Sequence, residues 1–132
     1  MYCVWNVRGA GKKLFVRIVF DVRAMYSFDV FVILEPRISA ARARKIIKKL
    51  GFSDHFVVEV KGFAGGIWLL WNSNKIKLEV IASSKQSIST LVDDGSGCWM
   101  FTVVYGSLSV NFRRYLWEYY PLVVVALMVL RL

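Results

Sequence analysis

The sequence predicts a mixed α/β (α+β) fold, the N-terminal portion of a layered α/β sandwich whose second half is missing. Three observations predict it. Helix-period and strand-period segments alternate over the first fifty residues, and strand signals then recur about every ten residues. The 132-residue chain is also 57% hydrophobic and 15% aromatic, which calls for a packed core and excludes intrinsic disorder.

The elements follow in order. Tyr2 to Trp5 is a short apolar strand, closed by a polar turn from Asn6 to Lys13 that contains Gly9 and Gly11. Leu14 to Met25 carries Phe15, Ile18, Val19 and Val22 at helical spacing, so these four are expected on the core face. Val30 to Leu34 is an unbroken apolar run of the kind buried on both faces of a sheet, and it stops at Glu35-Pro36-Arg37. Ser39 is an expected N-cap for a helix with Ala43, Ile46, Ile47 and Leu50 on its apolar face, terminated by Gly51. Strands are expected over Phe56–Val60, Ile67–Trp71, Ile76–Ile81, Ser87–Val92 and Trp99–Tyr105, punctuated by Gly, Asn, Ser and Asp turns, as one antiparallel meander. Val110 to Tyr119 reads as a helix. Residues 1–119 therefore form the expected partial domain and 120–132 an apolar tail.

Composition narrows the function classes. The apolar run from Tyr119 to Leu130 is twelve residues long, where a spanning helix needs roughly 20, so no bilayer span is expected. Trp5, Asn6 and Arg8 interrupt the apolar region that a secretory signal requires. Cys3 and Cys98 lack metal-ligand spacing and are expected as buried, reduced thiols, without a structural zinc site. The formal charge is +9, and residues 1–50 hold eleven Lys/Arg against three Asp/Glu. A basic first half points to a polyanion, nucleic acid ahead of a membrane surface. Arg42, Arg44, Lys45, Lys48 and Lys49 are the candidate phosphate contacts; the bland alternative is a solvated helix face.

Chemistry-bearing residues are few. His55 is the single histidine, in a Ser-Asp-His turn without a nucleophile motif, and no Gly-rich nucleotide loop occurs. Glu35 stands out because a carboxylate at the C-terminal end of a buried strand sits where open α/β sheets place ligands. A carboxylate there suits a hard cation such as Mg²⁺, and Asn6 occupies the equivalent end of the first strand. Alternatively, Glu35 is a favourable charge just before a helix N-terminus.

Five ordered segments carry a resemblance. They are Trp5-Asn6-Val7-Arg8-Gly9, Phe31 to Arg37, Gly65-Gly66-Ile67-Trp68-Leu69-Leu70-Trp71, Phe101 to Ser107, and Arg113-Arg114 with Leu116-Trp117-Glu118. Together they resemble the endonuclease/exonuclease/phosphatase superfamily, specifically the endonuclease region of plant LINE-type (non-LTR) retrotransposons. The resemblance implies a Mg²⁺-dependent DNA-nicking phosphodiesterase ancestry and an intracellular, nuclear setting. It assigns metal and phosphate organisation to Asn6, metal ligation to Glu35 and a phosphate-region contact to Tyr105. Leu108 replaces the proline usual after the Tyr-x-Ser segment. The family's later Gly-Asp-Phe-Asn motif, its further aspartate and its Asp-His pair have no counterpart. An inactive, truncated endonuclease-like domain is thus the first expectation. A nucleic-acid-binding remnant without chemistry is the second, and a membrane-associated protein using the apolar tail is the third.

Overall fold

The computed structural model describes residues 2–7, 9–59, 66–95, 97–104 and 127–128. Two sheets and two helices follow the order β1 (Tyr2–Asn6), α1 (Phe15–Met25), β2 (Val30–Leu34), α2 (Ala40–Leu50), β3 (Asp54–Val58), β4 (Ile67–Trp71), β5 (Lys77–Ser83), β6 (Ser87–Asp93), β7 (Cys98–Val104) and β8 (Leu127–Met128).

The first sheet has the order β1-β2-β4-β3. β1 runs parallel to β2, while β4 lies antiparallel between β2 and β3. The two central strands are Val-Phe-Val-Ile-Leu and Ile-Trp-Leu-Leu-Trp, and every residue of both is buried. Strand periodicity divides them between two cores. Phe31, Ile33, Trp68 and Leu70 pack against Phe15 and Val19 of α1 and Ala43, Ile47 and Leu50 of α2. Val30, Val32, Leu34, Ile67, Leu69 and Trp71 instead meet Ile88, Val92, Phe101 and Val103 of the second sheet. Each large side chain so buried contributes about 1.5–3 kcal/mol relative to exposure. The result is three layers, helices on sheet on sheet.

Helix α2 is bounded as its sequence suggests. Ser39 Oγ accepts a hydrogen bond from the Arg42 backbone N–H at 3.4 Å, and Gly51 ends the helix with φ +79°. Arg23, in the last turn of α1, donates to the Leu50 carbonyl and lays its guanidinium over the Phe52 ring, 4.0 Å from the centroid. One side chain therefore ties the C-terminus of α2 to α1, and burial lowers the Arg23 pKa.

Several expectations are corrected. The strands do not form one meander: β3 and β4 complete the first sheet, and only β5-β6-β7 form a meander, with β8 added parallel to β7. The Asn72–Ile76 turn, closed by Lys75 and Ile76 N–H groups donating to the Asn72 carbonyl, is where the chain changes sheets. The inner face of the first sheet is covered, and apolar side chains are left bare both on the outer side of the second, where Ile81, Leu91 and Met100 are exposed, and along α1 and its ends, where Leu14, Phe20, Met25 and Tyr26 are exposed. Ile18 is also exposed, at 40%, rather than in the core. Cys98 is exposed and Cys3 half-buried, neither in a disulfide. The expected 110–119 helix and most of the 120–132 tail lie outside the described residues, among which no helix is long and apolar enough to cross a membrane.

Tyr2 joins the edge of the first sheet to the second, its ring edge-on to Phe101 at 5.0 Å. Burial, with the negative charges of Asp94 and Asp29, pushes its pKa up from 10.0 to about 12. The folded state thus holds this proton more tightly than the unfolded chain does. Its contribution to stability is complete below pH 10 and is lost as pH rises from 10 to about 12. Denaturant midpoints measured across that range are expected to fall, and to fall less steeply in Tyr2→Phe.

Candidate functional site

Parallel pairing brings two of the three predicted catalytic residues to one end of the sheet. Asn6 is in register with Leu34, so the strand ends carrying Asn6 and Glu35 lie side by side. Tyr105 lies outside the described residues.

Glu35 is locked by its backbone. Its N–H donates to the Gly66 carbonyl at 3.2 Å, and its carbonyl accepts from the Gly9 N–H at 2.8 Å. On either side, the Leu34 carbonyl accepts from Val7 at 3.1 Å and the Pro36 carbonyl from Ala10 at 2.7 Å. These bonds hold Glu35 at φ 53°, a left-handed conformation, with Arg37 also at 53°. A residue before proline is disfavoured in the right-handed helical region, and the left-handed one costs a non-glycine residue about 1–2 kcal/mol. Backbone strain of this kind concentrates at functional sites.

The Glu35 carboxylate is largely enclosed, 14% exposed, and its Oε2 accepts from Arg37 Nη2 at 3.1 Å. Arg37 is itself 46% exposed, so solvent screens the pair. The oxygen donors of Glu35 and Asn6 are of the type that suits a hard divalent cation. Among the described residues, however, no group of three or more His, Cys, Asp or Glu side chains is arranged to hold a metal. His55 supplies nothing here. It lies exposed on β3, the opposite edge strand from β1, near the end of the sheet away from Glu35. The Ser53 preceding its turn is structural: Ser53 Oγ donates to Asp54 Oδ2 at 2.8 Å and accepts from the Ser73 N–H at 2.8 Å.

The five basic residues of α2 do not form one patch. Ala43, Ile47 and Leu50 are buried, which turns Arg42, Lys45 and Lys49 to one flank of the helix and Arg44 and Lys48 to the other. The first flank faces the 10–13 loop across a groove of about 300 Å³, whose lining includes Lys12 and Lys13. Arg44 lines a separate depression with His55 and Glu59. Gly11 permits the close approach of loop and helix, because a Cβ there would lie 3.2 Å from both Arg42 Nη2 and Ile38 Cγ2. Lys12 and Lys13 were not among the predicted contacts. Their signal in the sequence is a basic pair directly after the glycine turn that follows the first strand.

No family model and no curated protein matches this chain. Among solved structures it is similar to an AP endonuclease from Leishmania major, at 14% identity and a TM-score of 0.54. The likeness covers 87% of this chain and 43% of that one, so the chain spans less than half the neighbour's length. It shows a shared fold, the layered α/β arrangement of an AP endonuclease.

The strain at Glu35 can be measured. Asparagine tolerates the left-handed region better than most residues, so Glu35→Asn is expected to unfold at or above the denaturant concentration of the unmodified protein. Glu35→Val, β-branched, is expected to lose about 2 kcal/mol.

Proposed function

We propose that this chain is a nucleic-acid-binding domain of endonuclease-like fold, derived from the endonuclease region of a plant LINE-type retrotransposon, and that these 132 residues alone do not hydrolyse phosphodiesters. The observation that carries the reading is the groove in which Lys12 and Lys13 of the 10–13 loop face Arg42, Lys45 and Lys49 of α2. The ordered motifs support its ancestry, and the shared fold supports the endonuclease-like architecture alone.

Hydrolysis of a phosphodiester requires an activated water and a stabilised leaving oxygen. Glu35 and Asn6 would hold a cation such as Mg²⁺, which when bound supplies charge to polarise a phosphoryl oxygen. Neither residue is free to act as the base as well. Arg37 holds one carboxylate oxygen of Glu35, and the amide of Asn6 does not take up a proton at neutral pH. The water-activating aspartate and histidine of the family pattern have no counterpart in the sequence. Tyr105 keeps its implied role as a phosphate contact. What remains is electrostatic: a basic first half that attracts a polyanion and orients it on phosphate contacts.

Supercoiled plasmid incubated with the purified protein and Mg²⁺ or Mn²⁺ is expected to stay intact. Nicking that disappears in Glu35→Ala would overturn the inactivity. Binding is a separate matter. With about five phosphate contacts, log K for duplex DNA against log salt concentration should have a slope near −4. Lys45→Glu with Lys49→Glu should flatten that slope, whereas a slope near zero in the unmodified protein would eliminate the binding reading.

A further inference from the structure

The 10–13 loop has a second side. Opposite the basic groove, Lys12 and Lys13 also border a recess of about 410 Å³ between β1 and α1, within the size range of ligand sites. Its apolar lining includes Trp5, Val7 and Phe15, with Leu14 and Ile18. Leu14 is 63% exposed and Ile18 40%. Both belong to α1 or its N-cap, where the sequence placed Ile18 in the core, yet the structure leaves them outside it. Trp5 is only half-buried and is stacked on Phe15, the ring centroids 5.8 Å apart and the planes 22° from parallel.

A wall of two lysines therefore separates a cationic groove holding Arg42, Lys45 and Lys49 from an apolar recess with an indole in it. Each half alone is ambiguous. Side by side and sharing Lys12 and Lys13, they match a chain that alternates anionic links with flat apolar groups. Duplex DNA offers phosphates but keeps its bases stacked inside, whereas a single strand offers both, and proteins that hold it combine a basic track with aromatic platforms. We infer that this surface binds single-stranded nucleic acid, with the backbone phosphates on Lys12, Lys13, Arg42, Lys45 and Lys49 and one unstacked base in the Trp5–Ile18 recess.

The inference rests on the nucleic-acid reading above and deepens it, so its test separates the two. Affinities of the full chain are measured for a fluorescent single strand, for the same strand annealed into a duplex, and for anionic phospholipid vesicles. Ile18→Glu puts a charge into the recess at an already exposed position. Met25→Glu, on the same flank of α1 and 69% exposed, is the control for charge alone. The single strand is expected to bind more tightly than the duplex. Ile18→Glu should weaken the single strand about tenfold while changing the duplex no more than Met25→Glu does. Equal binding of strand and duplex, with Ile18→Glu indistinguishable from Met25→Glu, overturns the base recess and leaves the broader reading standing. No binding to either nucleic acid overturns both. Tighter binding to the vesicles than to the single strand, lost in Ile18→Glu, assigns the recess to lipid and overturns the inference as well.

Discussion

The parallel pairing of β1 and β2 is the constraint on which the rest depends. Two parallel neighbours cannot be joined by a tight turn, so the chain between them must cross over, and it does so as α1 on one face of the sheet. The same pairing puts both C-terminal ends at one edge. The loop leaving β1 and the loop leaving β2 then run together, joined by the Gly9–Glu35 and Ala10–Pro36 hydrogen bonds. From that joint α2 departs at Ser39, and the basic groove is the space between the loop and the flank of α2 that carries Arg42, Lys45 and Lys49. Site and groove are two consequences of one strand pairing.

Two apolar runs then build the molecule on both sides. β2 and β4 are continuous in hydrophobic character because each side of them meets a different layer, helices on one and the second sheet on the other. Removing either layer would expose half of each run. That coupling lets edge strands β1 and β3 remain half-buried while the centre is dry. The outer side of the second sheet has no such partner among the described residues, and there Ile81, Leu91 and Met100 face outward. It is polar where it is most enclosed: Ser89 and Thr102 are buried there, their hydroxyls 3.1 Å apart.

Much of this was legible in the sequence, for local reasons. α2 announces its ends with Ser39 and Gly51 because capping is decided by residues a few positions apart. β2 and β4 are legible as unbroken apolar runs. The division of strands between sheets was not, because an alternating pattern reports which side is buried and not which neighbour buries it. Ile18 misled for a related reason. Helical spacing places it near the stripe of Phe15, Val19 and Val22, but β1 is the edge strand and the sheet does not extend far enough to cover it. Of the site, the side-by-side placement of the strand ends carrying Asn6 and Glu35 follows from the parallel pairing of β1 and β2, which neither segment fixes alone. The left-handed conformation of Glu35 was invisible, since nothing in a glutamate signals it; it is imposed by hydrogen bonds to residues distant in sequence.

That distant imposition bears on what a preserved site geometry means. The four backbone bonds around Glu35 run to Val7, Gly9, Ala10 and Gly66, and none uses the glutamate side chain. They join three strand ends and set where α2 begins. A chain that needs only its fold must keep them, and in keeping them it keeps residue 35 in its left-handed conformation. Backbone strain here is therefore explained by architecture as fully as by chemistry. What distinguishes the two is the complement of side chains converging on that strand end. Glu35 is paired to Arg37 and Asn6 carries no charge, so charge at that strand end is compensated locally, whereas Lys12, Lys13, Arg42, Lys45 and Lys49 line one groove with no carboxylate in its lining.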